Sequence, residues 1–219
     1  MSFSSSTSLK VESFFTQYKF IRYKKDEILF RAEDTPPGVY YLKSGFVKQY
    51  IVSKEGSELI LHIYGPGSFF PMMWVIGEVP NEYFYTAMTA CTTFRAPTDK
   101  TRQFLVENPD VVFDLTKRLY LGVDGLLKRI EDLSLGTAYT QVISVLLYLA
   151  QHFGKRWGKS IVIPYKFTHQ DISAIMGTVR ETATRELDKL VREKLILYEK
   201  HSIIIPDIER LRKKHTFRR

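Results

Sequence analysis

The sequence predicts an α+β protein in two parts: a sandwich or barrel of short antiparallel strands, then a helical part that ends in a small hairpin. Three observations carry this. From Phe20 to about Pro97, apolar and aromatic clusters recur at short intervals between turn signals. After Pro109 the apolar spacing changes to alternating fours and threes, the period of a helix. The formal net charge of +8 falls entirely in residues 138–219, which hold sixteen basic and eight acidic side chains; residues 1–137 hold sixteen of each. A neutral half joined to a basic half is what a chain shows when one part meets a polyanion, although a solvated basic surface is the plainer reading of charge alone.

Composition narrows the class. At 44% hydrophobic and 26% charged residues the chain reads as an ordinary soluble globular protein, with length enough for one large domain or two small ones. No apolar run reaches the roughly 18 residues that a bilayer crossing needs. The Ser-rich start, Met1 to Lys10, has no apolar core and does not read as a signal peptide. A single cysteine, Cys91, leaves no internal disulfide and no all-cysteine metal site. A reducing, cytoplasmic compartment fits.

Taken in order, Ser4–Ser8 reads as a frayed terminus. Strands follow at Glu27–Phe30, Val39–Leu42, Phe46–Val52 and Leu59–Tyr64, separated by Thr35-Pro36-Pro37-Gly38, Ser44-Gly45, Lys54-Glu55-Gly56-Ser57 and Gly65-Pro66-Gly67-Ser68. Past Pro109, Val112, Thr116, Leu119, Val123, Leu126, Ile130 and Leu133 form a coiled-coil seam with one polar member, expected to pair two copies. A helix packed on its own β domain needs a similar stripe. Gly122 and Gly125 weaken the helix, at about 1 kcal/mol each against Ala. A second helix near Ala138–Phe153 stops at Gly154. Lys155–Lys159 reads as a basic loop leading into a strand at Ile161–Ile163.

The most informative stretch comes next. Thr168 caps a short helix with Asp171 three residues on, turning Ile172, Ile175 and Met176 inward, and Gly177 ends it. Thr178 and Glu181 then form a second box, opening a helix with Val179, Ala183, Leu187, Leu190 and Val191 inward. Two capped helices joined by a glycine turn are a helix-turn-helix signature. Leu195–Tyr198 and Ile203–Ile205, flanking Lys200-His201-Ser202, read as a hairpin wing, and Asp207–Arg219 as a frayed basic tail. On the second helix Arg180, Glu181 and Arg185 are the expected base readers, since Arg forks match guanine and a carboxylate accepts from cytosine. Thr168, His169, Gln170, Thr178, Thr182 and Lys189 are expected on phosphates.

The run Phe167 to Leu187 closely resembles the winged-helix signature of the Crp/Fnr transcription regulators. Lys25–Phe30, Val39–Gly45 and Gly65–Phe70 are similar to that family's β-roll. The resemblance, spanning about residues 10 to 212, implies an antiparallel β-roll (double-stranded jelly roll) sensor at 1–109, a long dimerisation helix at 110–136 and a C-terminal winged helix-turn-helix at 137–219. It implies a homodimer on double-stranded DNA, with RNA polymerase as a further partner and a half-site close to GTGA. The departures matter equally. Where cAMP-binding members have Gly-Glu-Leu, this chain has Pro71-Met72-Met73; their Arg-Ser pair falls near Asn81-Glu82, and their Thr-Ser pair near Leu126-Leu127. No Lys or Arg occurs from Glu55 to Phe94, so that stretch offers a phosphate no cation. The Fnr cysteine cluster is missing as well.

The expected effector is therefore none, or a neutral or apolar molecule in a pocket of Phe70, Met72, Met73, Leu126 and Leu127; core packing is the other reading of Phe69–Trp74. No cofactor, metal or catalytic residue is expected, and a haem ligand could come only from Cys91 or His62 in the first half. Two other readings stand: a cyclic-nucleotide-responsive member of the family, and a cupin-type metalloenzyme, disfavoured because residues 1–137 hold one histidine.

Overall fold

The computed structural model describes residues 5–200 and 202–215, which form two compact units. The first comprises residues up to Ser53 together with Ile60–Gly122; the second comprises Lys54–Leu59 and the chain from Val123 onward.

In the first unit, α1 (Ser5–Phe15) precedes the strands β1 (Lys19–Tyr23), β2 (Ile28–Phe30), β3 (Val39–Ser44), β4 (Val47–Val52), β5 (Glu58–Tyr64) and β6 (Phe69–Phe70). Then come α2 (Met72–Gly77), β7 (Phe84–Ala87), β8 (Cys91–Ala96), α3 (Thr98–Glu107) and the start of α4 (Pro109–Leu135). The strands form two four-stranded sheets, ordered β1-β8-β3-β6 and β2-β7-β4-β5. The register runs from Lys19 opposite Arg95 to Tyr23 opposite Cys91 on one side, and from Val47 opposite Ala87 on the other. This is the expected antiparallel β-roll.

Strand alternation decides which residues face which layer. Tyr40, Leu42 and Phe70 join Leu29, Phe30, Val47, Tyr85 and Ala87 in one core. Their neighbours Val39, Tyr41 and Phe69 join a second core with Val11 and Phe15 of α1, Val75 of α2, Phe104 and Leu105 of α3 and Val111 of α4. Helices thus cover the outer face of one sheet, and so β3 is buried on both faces.

The N-terminus departs from the expected frayed end. Residues from Ser5 form a helix rather than a frayed end; Met1–Ser4 lie outside the described residues. Thr7, Val11 and Phe15, one face at spacings of four, are all buried. Thr7 donates to Asp114, and Lys10 pairs with Asp110 at 2.7 Å. Serines are poor helix formers in isolation, so tertiary packing overrode local propensity.

The second unit holds the rest of α4, then α5 (Ala138–Phe153), β9 (Lys155–Trp157), β10 (Ser160–Ile163), α6 (His169–Met176), α7 (Arg180–Arg192), β11 (Leu197–Glu199), β12 (Ser202–Ile205) and α8 (Ile208–His215). Helix α4 opens on Pro109, a residue suited to the first helical position, and continues through Gly122 and Gly125. Gly154 ends α5, but through close approach rather than a left-handed turn. Its φ is −71°, and a Cβ there would stand 2.2 Å from the Ala150 carbonyl oxygen. The basic loop expected at Lys155–Lys159 is largely a strand: Trp157 pairs with Ser160 and Arg156 with Ile161, giving a sheet ordered β11-β12-β10-β9.

The tail expectation also fails for its first part. Asp207 accepts from the backbone N–H groups of Glu209 and Arg210 at 3.0 Å, and α8 buries Ile208 and Leu211. His201 of the wing turn and residues 216–219 lie outside the described residues. No helix among the described residues is long and apolar enough to cross a membrane.

Helix α6 begins with the expected box: Thr168 accepts from the Asp171 N–H at 3.0 Å, and Asp171 accepts from the Thr168 N–H at 2.8 Å. Thr168→Ala is expected to cost about 1 kcal/mol, the usual worth of such a cap. Equilibrium chemical denaturation checks this, and an unchanged midpoint would show that the cap contributes nothing.

Candidate nucleic-acid interface

The two helices α6 and α7 pack through Ile172, Ile175 and Met176 on one and Ala183, Leu187 and Leu190 on the other, all buried. Gly177 joins them at φ +71°, a left-handed conformation that suits glycine. The second capping box does not form. The Thr178 N–H donates to the Ser173 carbonyl at 3.1 Å, so Thr178 completes the C-terminal turn of α6. Helix α7 therefore starts one residue later, with Val179 as an N-cap that makes no side-chain bond and is 62% exposed rather than inward.

With the apolar stripe of α7 inward, its other face turns to solvent. Arg180, Glu181, Thr184, Arg185 and Asp188 line one shallow depression on it, bringing the three expected base readers together. Arg180, Thr184 and Asp188 follow at intervals of four, with Glu181 and Arg185 beside them on the same side. Sequence reasoning missed Asp188, although that spacing alone places it there. The Arg185 Nε donates to Glu186 Oε1 at 2.9 Å, and Glu186 is almost buried.

The expected phosphate contacts divide. Thr168 and Gln170 are exposed at the N-terminus of α6, but Thr168 donates both its N–H and its hydroxyl to Asp171, at 2.8 and 2.7 Å. Thr178 and Thr182 are half-buried. His169 instead joins protein to protein: its Nδ1 lies 2.9 Å from Thr184 Oγ1 and its Nε2 lies 3.4 Å from the Tyr198 hydroxyl, tying α6 to α7 and β11. The Lys189 ammonium sits 4.2 Å from the centre of the Tyr139 ring, on the flank of α7 toward α5. The Tyr139 hydroxyl donates to Glu193 at 2.6 Å, a bond that holds the Glu193 carboxyl below its ordinary range.

Two polar clamps that the sequence did not announce fix the C-terminal half of α4. Arg129 donates to the Ile175 carbonyl at the end of α6 at 2.6 Å, and its burial lowers the guanidinium pKa. Buried Asp132 accepts from Ser144 and lies 2.7 Å from His215 Nε2. Both residues lie outside the apolar stripe read on α4, and nothing in their spacing sets them apart from solvated charges.

The expected seam is split. Leu119, Val123, Leu126, Ile130 and Leu133 are 41–65% exposed in the single chain, and a Cβ added at Gly122 or Gly125 would meet nothing within 4 Å. Val112, however, is half-buried against the helix-covered core of the first unit and does not belong with them. Thr116 is exposed, its hydroxyl donating back to the Val112 carbonyl at 2.9 Å.

The three members of the expected effector pocket that lie in the first unit take separate places in it. Phe70 is wholly buried between the sheets, its ring 4.4 Å from Tyr64 and 5.5 Å from Tyr85, while Phe30 stacks on Tyr85 at 4.2 Å. Aromatic rings fill this interior. Met72 packs against the helix-covered core, and Met73 is exposed on α2. Leu126 and Leu127 are exposed on α4 and belong to the other unit. Asn81 is buried and donates to the Arg31 and Tyr83 carbonyls at 2.7 and 3.0 Å, and Glu82 is exposed. Cys91 is buried with its thiol on the Phe46 and Thr89 carbonyls, and burial pushes its pKa up, the reverse of a reactive thiol. His62 is exposed beside Tyr64.

A reading helix held on a buried apolar stripe, with arginines and carboxylates facing outward from the basic unit, defines a helix-turn-helix regulator of transcription. Comparison with known proteins agrees over both units. A model of the cyclic nucleotide-binding domain matches residues 20–108, and one of the Crp-like helix-turn-helix domain matches residues 140–214. Transcriptional regulator SdrP of Thermus thermophilus is 31% identical over 182 residues, covering 77% of this chain and 84% of SdrP. The global nitrogen regulator of Nostoc sp. is 28% identical over 185 residues, 84% of this chain and 83% of its own. The solved structure of TTHA1359, a CRP/FNR family transcriptional regulator from Thermus thermophilus, superposes with a TM-score of 0.70 at 25% identity, covering 90% of this chain and 98% of that one. The chain belongs to the Crp/Fnr family of transcription regulators.

Proposed function

We propose that the protein acts in the cytoplasm as a homodimer that reads an inverted repeat in double-stranded DNA and works with RNA polymerase. In this reading residues 1–109 are the sensor, 110–136 the pairing helix and 137–219 the reader. The observation that carries it is the gathering of Arg180, Glu181 and Arg185 on the exposed face of α7. Two Arg forks suit two guanines and one carboxylate suits a cytosine amino group. The likeness of Arg-Glu-x-x-x-Arg to Crp-like members supports a GTGA-like half-site. Two-fold symmetry would set the half-sites about one helical turn apart, roughly 34 Å. Gln170, exposed at the start of α6, would fix register on a phosphate. Selection of bound sequences from random DNA by the untreated protein tests this. An inverted repeat of that kind is expected, and recovery of unrelated single sites would sink it.

A cyclic-nucleotide-responsive reading is favoured by the domain model matching residues 20–108 and by relatives named as cAMP-activated, among them a regulator of Mycobacterium tuberculosis. The residues present do not suit that ligand. Asn81 is engaged with two carbonyls, Glu82 would repel a phosphate, and Met72 packs into a core. An effector, if one is used, is neutral or apolar, because a buried unpaired charge is costly. Millimolar cAMP is expected to raise the melting temperature no more than AMP does. A clear excess for cAMP, read by differential scanning fluorimetry, would refute this.

A further inference from the structure

We propose that Glu186 is a specificity-determining residue that acts through Arg185, holding its guanidinium by Nε so that only the two terminal amino groups remain to meet a base. This rests on the reading that Arg185 faces DNA. The Arg185 side chain is 67% exposed and that of Glu186 only 12%, with Nε and Oε1 2.9 Å apart. One end of the pair is therefore fixed in the protein while the other reaches solvent.

The fixed end is well anchored. Glu186 lies between the buried Ala183 and Leu190 turns of α7 and near Tyr139, whose hydroxyl pKa is raised first by burial and to a lesser degree by the Glu193 and Glu186 carboxylates. The Lys189 ammonium sits 4.2 Å from the centre of the same Tyr139 ring. A carboxylate only 12% exposed within a packed helix has few positions to adopt.

The chemical consequence follows from the guanidinium itself. It carries five N–H donors, one on Nε and four on the terminal nitrogens. A guanine edge, O6 and N7, can be met side-on by Nε with one terminal nitrogen, or end-on by both terminal nitrogens. With Nε on Glu186 the side-on fork is closed and the end-on fork is oriented before DNA arrives. Pre-ordering removes part of the rotamer entropy that a long Arg side chain loses on binding. The paired carboxylate also reduces the attraction of Arg185 for any nearby phosphate, which favours a base over the backbone. Both effects favour the selected site over other DNA.

The test compares Glu186→Leu, Glu186→Gln, Arg185→Ala and the double variant Arg185→Ala/Glu186→Leu, each as the full chain. Binding is measured on the selected site, on that site with single guanine replacements, and on random DNA. Glu186→Leu is expected to lower the preference at one guanine about tenfold without weakening random-DNA binding. Glu186→Gln, which keeps an oxygen to accept from Nε, is expected to retain the preference within about twofold. The double variant is expected to discriminate no worse than Arg185→Ala alone. Equal loss on all DNAs in Glu186→Leu, together with a lowered melting temperature, would make Glu186 a structural residue and overturn the proposal. So would intact discrimination in Glu186→Leu beside its loss in Arg185→Ala, which would leave Arg185 a reader without this support. Unchanged discrimination in Arg185→Ala would instead remove the underlying reading.

Discussion

Glutamate in place of both Leu126 and Ile130 is expected to give monomers and to lower affinity for an inverted-repeat site about a hundredfold or more. The two side chains are 54% and 59% exposed on one stripe of α4, alongside Leu119, Val123 and Leu133. Burying a leucine or isoleucine is worth about 1.5–3 kcal/mol, and each pairing would bury four such side chains across its axis. The introduced carboxylates would face apolar side chains and one another, which a seam does not tolerate. Without pairing, the second reading helix is no longer tethered, and linked binding of that kind is worth about 10²–10⁴ in affinity. Sedimentation at micromolar concentration, with fluorescence anisotropy on the repeat, checks both parts. A double variant that stays dimeric would show that this stripe does not pair copies. The positions are exposed, so the fold itself should survive; Val112, half-buried on the first unit, would not serve as such a probe.

Arg185→Ala is expected to cost about 1–3 kcal/mol on the selected site and to flatten the preference at one guanine, since a bidentate fork is lost there. Binding to random DNA should change much less. The substitution also leaves Glu186 without its partner in an almost buried place, so a lowered melting temperature is expected beside the binding defect. Measurements well below that transition keep the two effects apart. If affinity for random DNA falls as far as affinity for the selected site, Arg185 touches only phosphates, and base reading by this face of α7 has to be abandoned.

These predictions draw on residues that differ in how legible they were. The box of Thr168 and Asp171, the left-handed turn at Gly177, the seven-residue rhythm of α4 and most strand positions follow from contacts three or four residues apart, or from side-chain alternation. Such rules need no tertiary partner. The charge division is equally local, and it pointed to the basic half without any knowledge of shape.

What failed lies where a distant partner decides. The serine-rich start is a helix because Val11 and Phe15 meet a core assembled from β3, β6, β8 and three other helices. Thr178 looked like a cap, yet its N–H is taken by Ser173 to finish the preceding helix. His169 and Lys189 read as phosphate ligands, and the fold gives each a partner within the protein that the sequence did not show, Thr184 and Tyr198 for one and the Tyr139 ring for the other. Phe70 read as a pocket wall, and packing against Tyr64 and Tyr85 made it core. The sequence by itself determined the rhythm of α4, the Thr168 cap, the Gly177 turn and the buried stripe of α7, because these depend on near neighbours along the chain. Only the tertiary structure decided which polar side chains are engaged within the protein, because a donor's partners depend on what the rest of the chain brings within about 3 Å of it.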